Sequence, residues 1–193
     1  HPLVLTTYIF GLLLFQFPEL VYAIREEFKI HFVGSIFIMT FIVPGLSAVV
    51  LWKTGSISSL KMETIKERRY PFLFTFLIYA VDTFFFYRIF QRDMFFAVIL
   101  GFVALTMLLV AIISLKWKIS AHAAGLGGLV AFYIIASFLN TMQFDMVLCI
   151  AILIISGLTI SARLALNSHN LMQVVAGFLL GLFTGLSSLL FLL

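Results

Sequence analysis

The sequence has few charged residues: Asp, Glu, Lys and Arg make up 10% of its 193 residues. Because a soluble domain carries about 25% charged residues, this chain lacks the polar side chains that would cover a water-facing surface. Its single cysteine, Cys149, excludes an intrachain disulfide. The net charge of +4 forms no extended basic surface, so nucleic acid is a poor fit as a partner, whereas anionic lipid headgroups or phosphate suit it.

Hydrophobic residues make up 63% of the chain, including 23 Phe, and the mean hydropathy is +1.20. They form seven runs, roughly 3–17, 32–52, 71–87, 94–115, 119–139, 146–162 and 171–193. Because backbone groups in lipid must form hydrogen bonds within their own segment, runs of this length are predicted to be helices. The sequence therefore predicts an all-α polytopic membrane helix bundle, built as a single integral membrane domain over 1–193.

The connections between the runs fall on two sides if all seven runs cross the membrane. Connections 53–70, 116–118 and 163–170 then share one side, with eight Lys and Arg residues against four on the other side. The positive-inside tendency would place the first side in the cytoplasm. If Lys61, Arg68 and Arg163 bind a ligand, five residues remain against four, and the charge count does not fix the orientation.

Three polar clusters interrupt the apolar sequence, all on this first side. They are the segment from Lys61 to Pro71, the segment Ile119-Ser120-Ala121-His122, and Arg163 with His169 and Gln173. Both histidines fall in the predicted first turn of a helix, where free N–H groups and the helix dipole favour an anion. Arginine offers donors that suit phosphate oxygens. Two histidines allow one to attack phosphorus while the other protonates the leaving oxygen, so the clusters predict a phosphate-ester site.

These clusters resemble the three motifs of the type-2 phosphatidic acid phosphatase family, which read K-x6-R-P, P-S-G-H and S-R-x5-H-x3-D. Lys61 and Arg68 keep the first spacing, although the proline follows two residues late, as Pro71. The segment Ile119-Ser120-Ala121-His122 is similar to the second motif, with isoleucine in place of proline and alanine in place of glycine.

The third motif is matched by Arg163 and His169 at the expected spacing, with alanine in place of the serine and Gln173 in place of the aspartate. Two predicted helices separate each motif from the next, as in the family. The resemblance covers about residues 32–193 and implies a six-helix phosphatase-like core, to which 1–31 adds an N-terminal helix and loop.

The resemblance implies that His169 forms a phosphohistidine and that His122 is the general acid. It implies that the phosphate oxygens are held by Lys61, Arg68, Arg163 and Ser120. Gln173 follows His169 by four residues and faces the same side of the helix, so its amide oxygen can accept a hydrogen bond from the imidazole, although it cannot supply negative charge. No metal or other cofactor is implied, because this side has no carboxylate cluster to bind Mg²⁺.

The expected function is hydrolysis of a lipid phosphate or prenyl pyrophosphate at the membrane–water interface. Two alternatives use the same residues: a weakened or inactive lipid-phosphate-binding protein, which the glutamine at position 173 motivates, and a lipid phosphotransferase. The resemblance further implies a bacterial cytoplasmic membrane, with the site on its outer face.

Asp82 and several glycines lie inside the apolar runs. A carboxylate at that depth is costly unless it is paired, neutral or in contact with water. Asp82 is therefore a functional candidate, although a structural hydrogen bond to a Thr or Tyr of a neighbouring helix is the preferred interpretation. The glycines at 125, 127, 128, 177, 181 and 185 predict close helix packing.

Overall fold

The computed structural model describes residues 1–60, 62, 64–91, 93–140 and 144–192. All regular elements in these ranges are helical, with no β-strand among them. The helices are α1 (Pro2–Phe15), α2 (Lys29–Phe37), α3 (Val43–Lys53), α4 (Ile65–Ile89), α5 (Met94–Ile113), α6 (Ala121–Leu139), α7 (Met146–Ala165), α8 (Leu171–Ser187) and α9 (Leu189–Leu192). A π-helical turn, Ile38–Ile42, joins α2 to α3, and short 3-10 turns cover Pro18–Leu20 and Glu26–Phe28.

Six helical segments of the described chain are long and apolar enough to cross a membrane. They are Glu26–Lys53, Ile65–Ile89, Met94–Ile113, Ala121–Leu139, Met146–Ala165 and Leu171–Leu192. Large apolar side chains such as Phe84, Ile154 and Phe183 are exposed on the outside of the bundle, as expected where lipid surrounds the protein. The structure thus confirms an all-helical bundle of apolar helices, consistent with an integral membrane protein.

Helix α4 begins six residues before the apolar run that predicted it, so Pro71 lies inside the helix. Thr64 is the N-cap, and Thr64 and Glu67 form a capping box in which each side chain accepts the backbone N–H of the other residue. The predicted start was wrong because polar side chains, Arg68 among them, end an apolar run without ending a helix. For the same reason Arg163 lies in the last turn of α7 and not in the connection that follows.

Helix α1 is short but belongs to the core. Its 14 residues span about 21 Å, less than the ~30 Å of a bilayer's hydrocarbon. Phe10, Leu13 and Leu14 are nevertheless fully buried in the main hydrophobic cluster. The helix packs against α2, the π-helical turn and α6.

Helices α6 and α8 form the most extensive contact of the described bundle, and glycines make it possible. A Cβ added at Gly127 would collide with the backbone of Phe178, and a Cβ at Gly181 would collide with the carbonyl of Ala124. The close packing that the glycines predicted is therefore confirmed at these positions. It brings the N-terminal ends of the two helices together, where the Ser120 N–H donates to the Gln173 carbonyl at 3.2 Å.

The connections between helices form two groups at opposite ends of the bundle. We call the group of His1, 54–60, 62, 64, 114–120 and 166–170 the histidine end, and the group of 16–28, 90–91, 93, 140 and 144–145 the far end. Next to the first group, Arg69 in the first turns of α4 donates to the Leu115 carbonyl at 3.4 Å. Within the second, Asn140 donates to Glu19 at 3.2 Å. The grouping expected for alternate connections is therefore observed.

Candidate functional site

A cavity of about 330 Å³ opens at the histidine end and reaches into the bundle. Its wall is formed mainly by α1, α3, α4, α5 and α6, with contributions from α7 and from the connection before α8. Four of the predicted site residues line it: Arg68, His122, Arg163 and His169. The structure therefore brings together residues from all three polar clusters.

Arg68 lies near the start of α4 and is only 6% exposed. Its Nε donates to the Met62 carbonyl at 2.9 Å, and one of its terminal nitrogens donates to the Ile119 carbonyl at 3.2 Å. Neutral carbonyl groups fix the orientation of a guanidinium without neutralising it. Arg68 therefore presents a positive charge to the cavity.

Arg163 projects into the cavity from the last turn of α7, where a cation interacts favourably with the helix dipole. Its Nε is buried and has no hydrogen-bond partner among the described residues. Among the described residues, no carboxylate lies within ion-pair distance of Arg68 or Arg163. The ion pairs in the described chain are Arg25–Glu27 and Lys29–Glu26. Because a buried charge without a counter-charge is costly, the buried guanidinium of Arg68, with the half-buried Arg163 at the same cavity, favours binding of an anion.

The hydrogen bonds of His169 determine which of its ring nitrogens carries the proton. Its Nδ1 lies 3.1 Å from the Lys118 carbonyl and 3.1 Å from Oε1 of Gln173. The carbonyl can only accept, and Oε1 is itself identified as an acceptor because the Asn170 N–H donates to it at 3.3 Å. Nδ1 must therefore be the protonated nitrogen, which leaves Nε2 with the lone pair that a nucleophile needs.

Burial lowers the pKa of His169 to about 4, and the positive charge of Arg68 acts in the same direction. The hydrogen bonds to Gln173 and to the Lys118 carbonyl oppose this shift. The imidazole is thus neutral at pH 7. The predicted position in the first turn of a helix was wrong, because Asn170 is the N-cap and α8 begins only at Leu171; burial, not the helix dipole, is the main cause of the low pKa.

His122 is the second residue of α6, in the first helical turn as predicted. Its ring makes an edge contact with the ring of His1, with centroids 5.7 Å apart and planes at 73°. The positive charges of Arg163 and Arg68 act on it. The sequence analysis missed His1, which also lines the cavity. The scarcity of histidine could have pointed to it, because the chain has only four histidines.

Two predicted phosphate ligands stand apart from the four residues above. Ser120 is completely buried and does not line the cavity; its hydroxyl accepts the Ala123 N–H at 3.4 Å as the N-cap of α6. The prediction for Ser120 needs this correction, because an oxygen that caps a helix is directed at the helix backbone. Lys61 lies outside the described residues.

Asp82 is buried in α4 and does not line the cavity. Its Oδ2 has no hydrogen-bond partner in the described part of the chain, so the hydrogen bond expected from the sequence is not observed for that oxygen. No group of three or more His, Cys, Asp or Glu side chains that could hold a metal ion occurs among the described residues.

No protein-family model, curated protein or solved structure matches the chain. The resemblance to the type-2 phosphatidic acid phosphatases therefore stays a prediction, carried by the motif residues alone. In the structure, residues of the three motif-like clusters line one cavity, to which they contribute two guanidiniums and two imidazoles.

Proposed function

We propose that this protein is a membrane-embedded phosphatase that hydrolyses a lipid phosphate or pyrophosphate through a phosphohistidine intermediate. One observation carries the proposal: Arg68, His122, Arg163 and His169 line a single cavity at the histidine end. Guanidinium groups bind phosphate oxygens through charge-assisted hydrogen bonds. The two imidazoles supply the nucleophile and the acid that phosphoryl transfer through histidine requires.

In the proposed first step, Nε2 of His169 attacks phosphorus and the bond from phosphorus to the ester oxygen breaks. A protonated His122 donates its proton to the leaving oxygen, so that a neutral alcohol departs. In the second step, His122 takes a proton from water, whose oxygen attacks the phosphohistidine. The phosphorus–nitrogen bond then breaks, and His169 and phosphate are released.

The two guanidiniums have a second role in this scheme. The ester brings two negative charges beside Arg68 and Arg163, and these charges also favour the protonated form of His122 that the first step needs. Substrate binding therefore prepares the general acid. Gln173 and the Lys118 carbonyl hold His169 with Nε2 available, because both accept from Nδ1.

The proposal is tested by phosphate release from phosphatidate and from prenyl pyrophosphates, with purified wild-type protein and His169→Ala. We expect release by the wild type and a loss of at least about 10³-fold in the variant, because the covalent step is removed. A wild-type protein quenched in base should carry phosphate on His169. Equal release by both proteins would exclude the proposed chemistry.

A second candidate is a non-catalytic lipid-phosphate-binding protein, and the side chain of Gln173 favours it. Its amide orients His169 but cannot stabilise the imidazolium by charge, as a carboxylate does. The Gln173→Asp variant separates the two candidates. A large gain in hydrolysis from an inert parent would support the binding protein, whereas an active parent that changes little supports the phosphatase.

We further propose that the protein lies in a bacterial cytoplasmic membrane with the histidine end on the outer face. The resemblance to the phosphatase family supports this orientation. A thiol-reactive, membrane-impermeant reagent applied to intact cells tests it, with a cysteine introduced at Ser56 of the histidine end or at Tyr22 of the far end. Labelling at Tyr22 and not at Ser56 would reverse the orientation.

A further inference from the structure

The cavity continues well beyond Arg68, His122, Arg163 and His169 at the histidine end. Its lining includes Tyr79 of α4, Val103 of α5 and Gly128 of α6. Tyr79 follows Arg68 by eleven residues along α4, which corresponds to roughly 16 Å of helix. The cavity is therefore a chamber with a charged mouth and a floor deep in the bundle.

Three of the four hydroxyl groups that line the chamber donate to protein carbonyls. Thr75 donates to the Pro71 carbonyl at 2.8 Å, and Thr106 donates to the Phe102 carbonyl at 2.8 Å. Tyr79 donates to the Thr40 carbonyl at 2.8 Å. Pro44, four residues after Thr40, has no N–H and so cannot donate a helical hydrogen bond to that carbonyl. Because these donors are used, the inner wall offers mainly hydrocarbon to a ligand.

Helix α1 supplies one wall of this chamber. Leu5, Thr6 and Ile9 line it, and Thr6 and Ile9 are at least 96% buried, with exposed fractions of 3% and 4%. The six-helix core that the phosphatase resemblance implies has no counterpart of α1. In this protein the helix covers the chamber on that side.

We propose that the chamber holds the hydrocarbon chain of a single-chain lipid phosphate, such as an alkyl or prenyl phosphate or diphosphate, whose phosphate lies between Arg68 and Arg163. This inference rests on the proposed function and narrows its substrate class. The charged mouth and the apolar interior match the two parts of such a molecule. A two-chain phosphatidate does not fit, because its second chain has no place in the chamber.

The dimensions of the chamber agree with one chain of about a dozen carbons. An extended chain advances about 1.2 Å per bond, since a peptide residue with three chain bonds spans up to ~3.6 Å; a depth of roughly 16 Å thus accommodates about thirteen bonds. The volume of about 330 Å³ is many times the ~10–15 Å³ that one water molecule needs, so the space takes a chain of many methylene groups.

The test measures binding of butyl, octyl and dodecyl phosphate to the full chain in lipid nanodiscs. Two variants of α5 are compared with the wild type: Val103→Phe fills the chamber floor, whereas Leu105→Phe adds the same side chain at an exposed position. Partition of each alkyl phosphate into the nanodisc lipid is the same for all three proteins, so it cancels when their affinities are compared. Ala48→Leu, which narrows the chamber from α3, replaces Val103→Phe if that variant does not fold.

We expect affinity for the wild type and for Leu105→Phe to rise from butyl to dodecyl phosphate. In Val103→Phe the gain should stop near octyl phosphate, and dodecyl phosphate should bind about 10²-fold more weakly than to the wild type, because its last four methylene groups lose their contacts with the protein. Phosphatidate should compete poorly. The same length dependence in all three proteins, or tight binding of phosphatidate, would overturn the inference.

This result separates the inference from the proposed function. If dodecyl phosphate binds with the expected length limit but is never hydrolysed, the chamber stands and the phosphatase proposal fails. If prenyl pyrophosphate is hydrolysed in a manner that depends on His169 while Val103→Phe has no effect on chain length, the phosphatase stands and the chamber proposal fails.

Discussion

The far end and the histidine end of the bundle differ in how their charged side chains are paired. At the far end, Lys29 donates to Glu26 at 2.6 Å and Arg25 lies 3.7 Å from Glu27. At the histidine end, Arg68 donates to carbonyl groups, and the Nε of Arg163 has no hydrogen-bond partner among the described residues. Lys29 and Arg68 are equally inaccessible, with exposed fractions of 4% and 6%, so burial alone does not account for the difference.

This difference supports the proposed function of the histidine end. Leaving a buried charge unpaired costs several kcal/mol, and a chain optimised only for stability would pair it, as the far end does with Lys29. Four groups that are positive or can become so, Arg68, Arg163, His122 and His169, instead surround one cavity. An anionic ligand accounts for that arrangement, and the following predictions test the contrast between the two ends.

The largest effect is expected for His122→Ala. For a substrate with an alcohol leaving group, loss of the general acid should lower kcat by about 10²–10⁴-fold. For p-nitrophenyl phosphate, whose leaving group needs no proton, the loss should be small. Phosphate release from both substrates measures the difference.

His31→Ala is the matched control for this prediction. His31 is exposed near the start of α2, beside the far end, so its removal should leave both rates unchanged. A His122→Ala variant that loses activity equally with both leaving groups would assign His122 to binding and not to proton transfer.

A smaller effect is expected for Arg163→Leu. Binding of orthophosphate should weaken about 10–100-fold, because a charge-assisted hydrogen bond contributes about 1.5–3 kcal/mol. Thermal stability should stay constant or rise, since the variant removes a buried Nε without a partner. Arg25→Leu breaks an exposed ion pair, which is worth ~1 kcal/mol or less, and should not change phosphate binding. A destabilised Arg163→Leu protein with unchanged affinity would show that Arg163 is structural.

Two glycines of α8 test whether the histidine end depends on the packing of α6 against α8. A Cβ at Gly177 would lie 2.5 Å from the Ser120 carbonyl, and a Cβ at Gly185 would lie 2.5 Å from the Cβ of Ala131. Either alanine variant should cost about 1–3 kcal/mol by overpacking. Only Gly177→Ala acts next to the site, so it alone should reduce phosphate release, by about tenfold, through displacement of His169.

Gly157 of α7 provides the control for the glycine pair, because a Cβ there meets nothing within 4 Å. Gly157→Ala should leave activity unchanged and raise helix stability by about 0.5–1 kcal/mol. Equal loss of activity in Gly177→Ala and Gly185→Ala would mean that the whole α6–α8 contact, and not its histidine end, controls the site. Unfolding midpoints and phosphate release measure both effects.

Hydropathy predicted the helical bundle well, because lipid leaves a spanning segment no alternative to an internally hydrogen-bonded helix. It failed where polar residues lie within helices. Arg68 and Arg163 were predicted in connections, but the capping box at Thr64 starts α4 before its charged turn, and α7 continues to Ala165. Capping residues, not apolar length, determine these ends. Asn170 likewise caps α8 and leaves His169 outside the helix.

Those parts of the candidate site that lie close together in the sequence were predictable. Arg163, His169 and Gln173 are close in sequence, and the bond from Gln173 to His169 follows from their separation. The Lys118 carbonyl and the ring of His1 come from distant segments, and only the packing of α8 and α1 against α6 brings them to the site. The Ser120 hydroxyl caps α6, a role that serine before a helix commonly has, and the sequence alone does not decide between a cap and a phosphate ligand.

The last prediction concerns the protonation of His169, whose pKa is about 4 because it is buried beside Arg68. A bound phosphate adds negative charge and should raise this pKa by about 1–3 units, measured by NMR titration of the labelled ring. The free energy of unfolding should decrease as the pH falls from 6.5 to 4, because in this range the unfolded chain takes up a proton that the native chain does not. Phosphate should reduce this loss. A titration in which phosphate leaves the pKa of His169 unchanged would place the anion away from the histidine end.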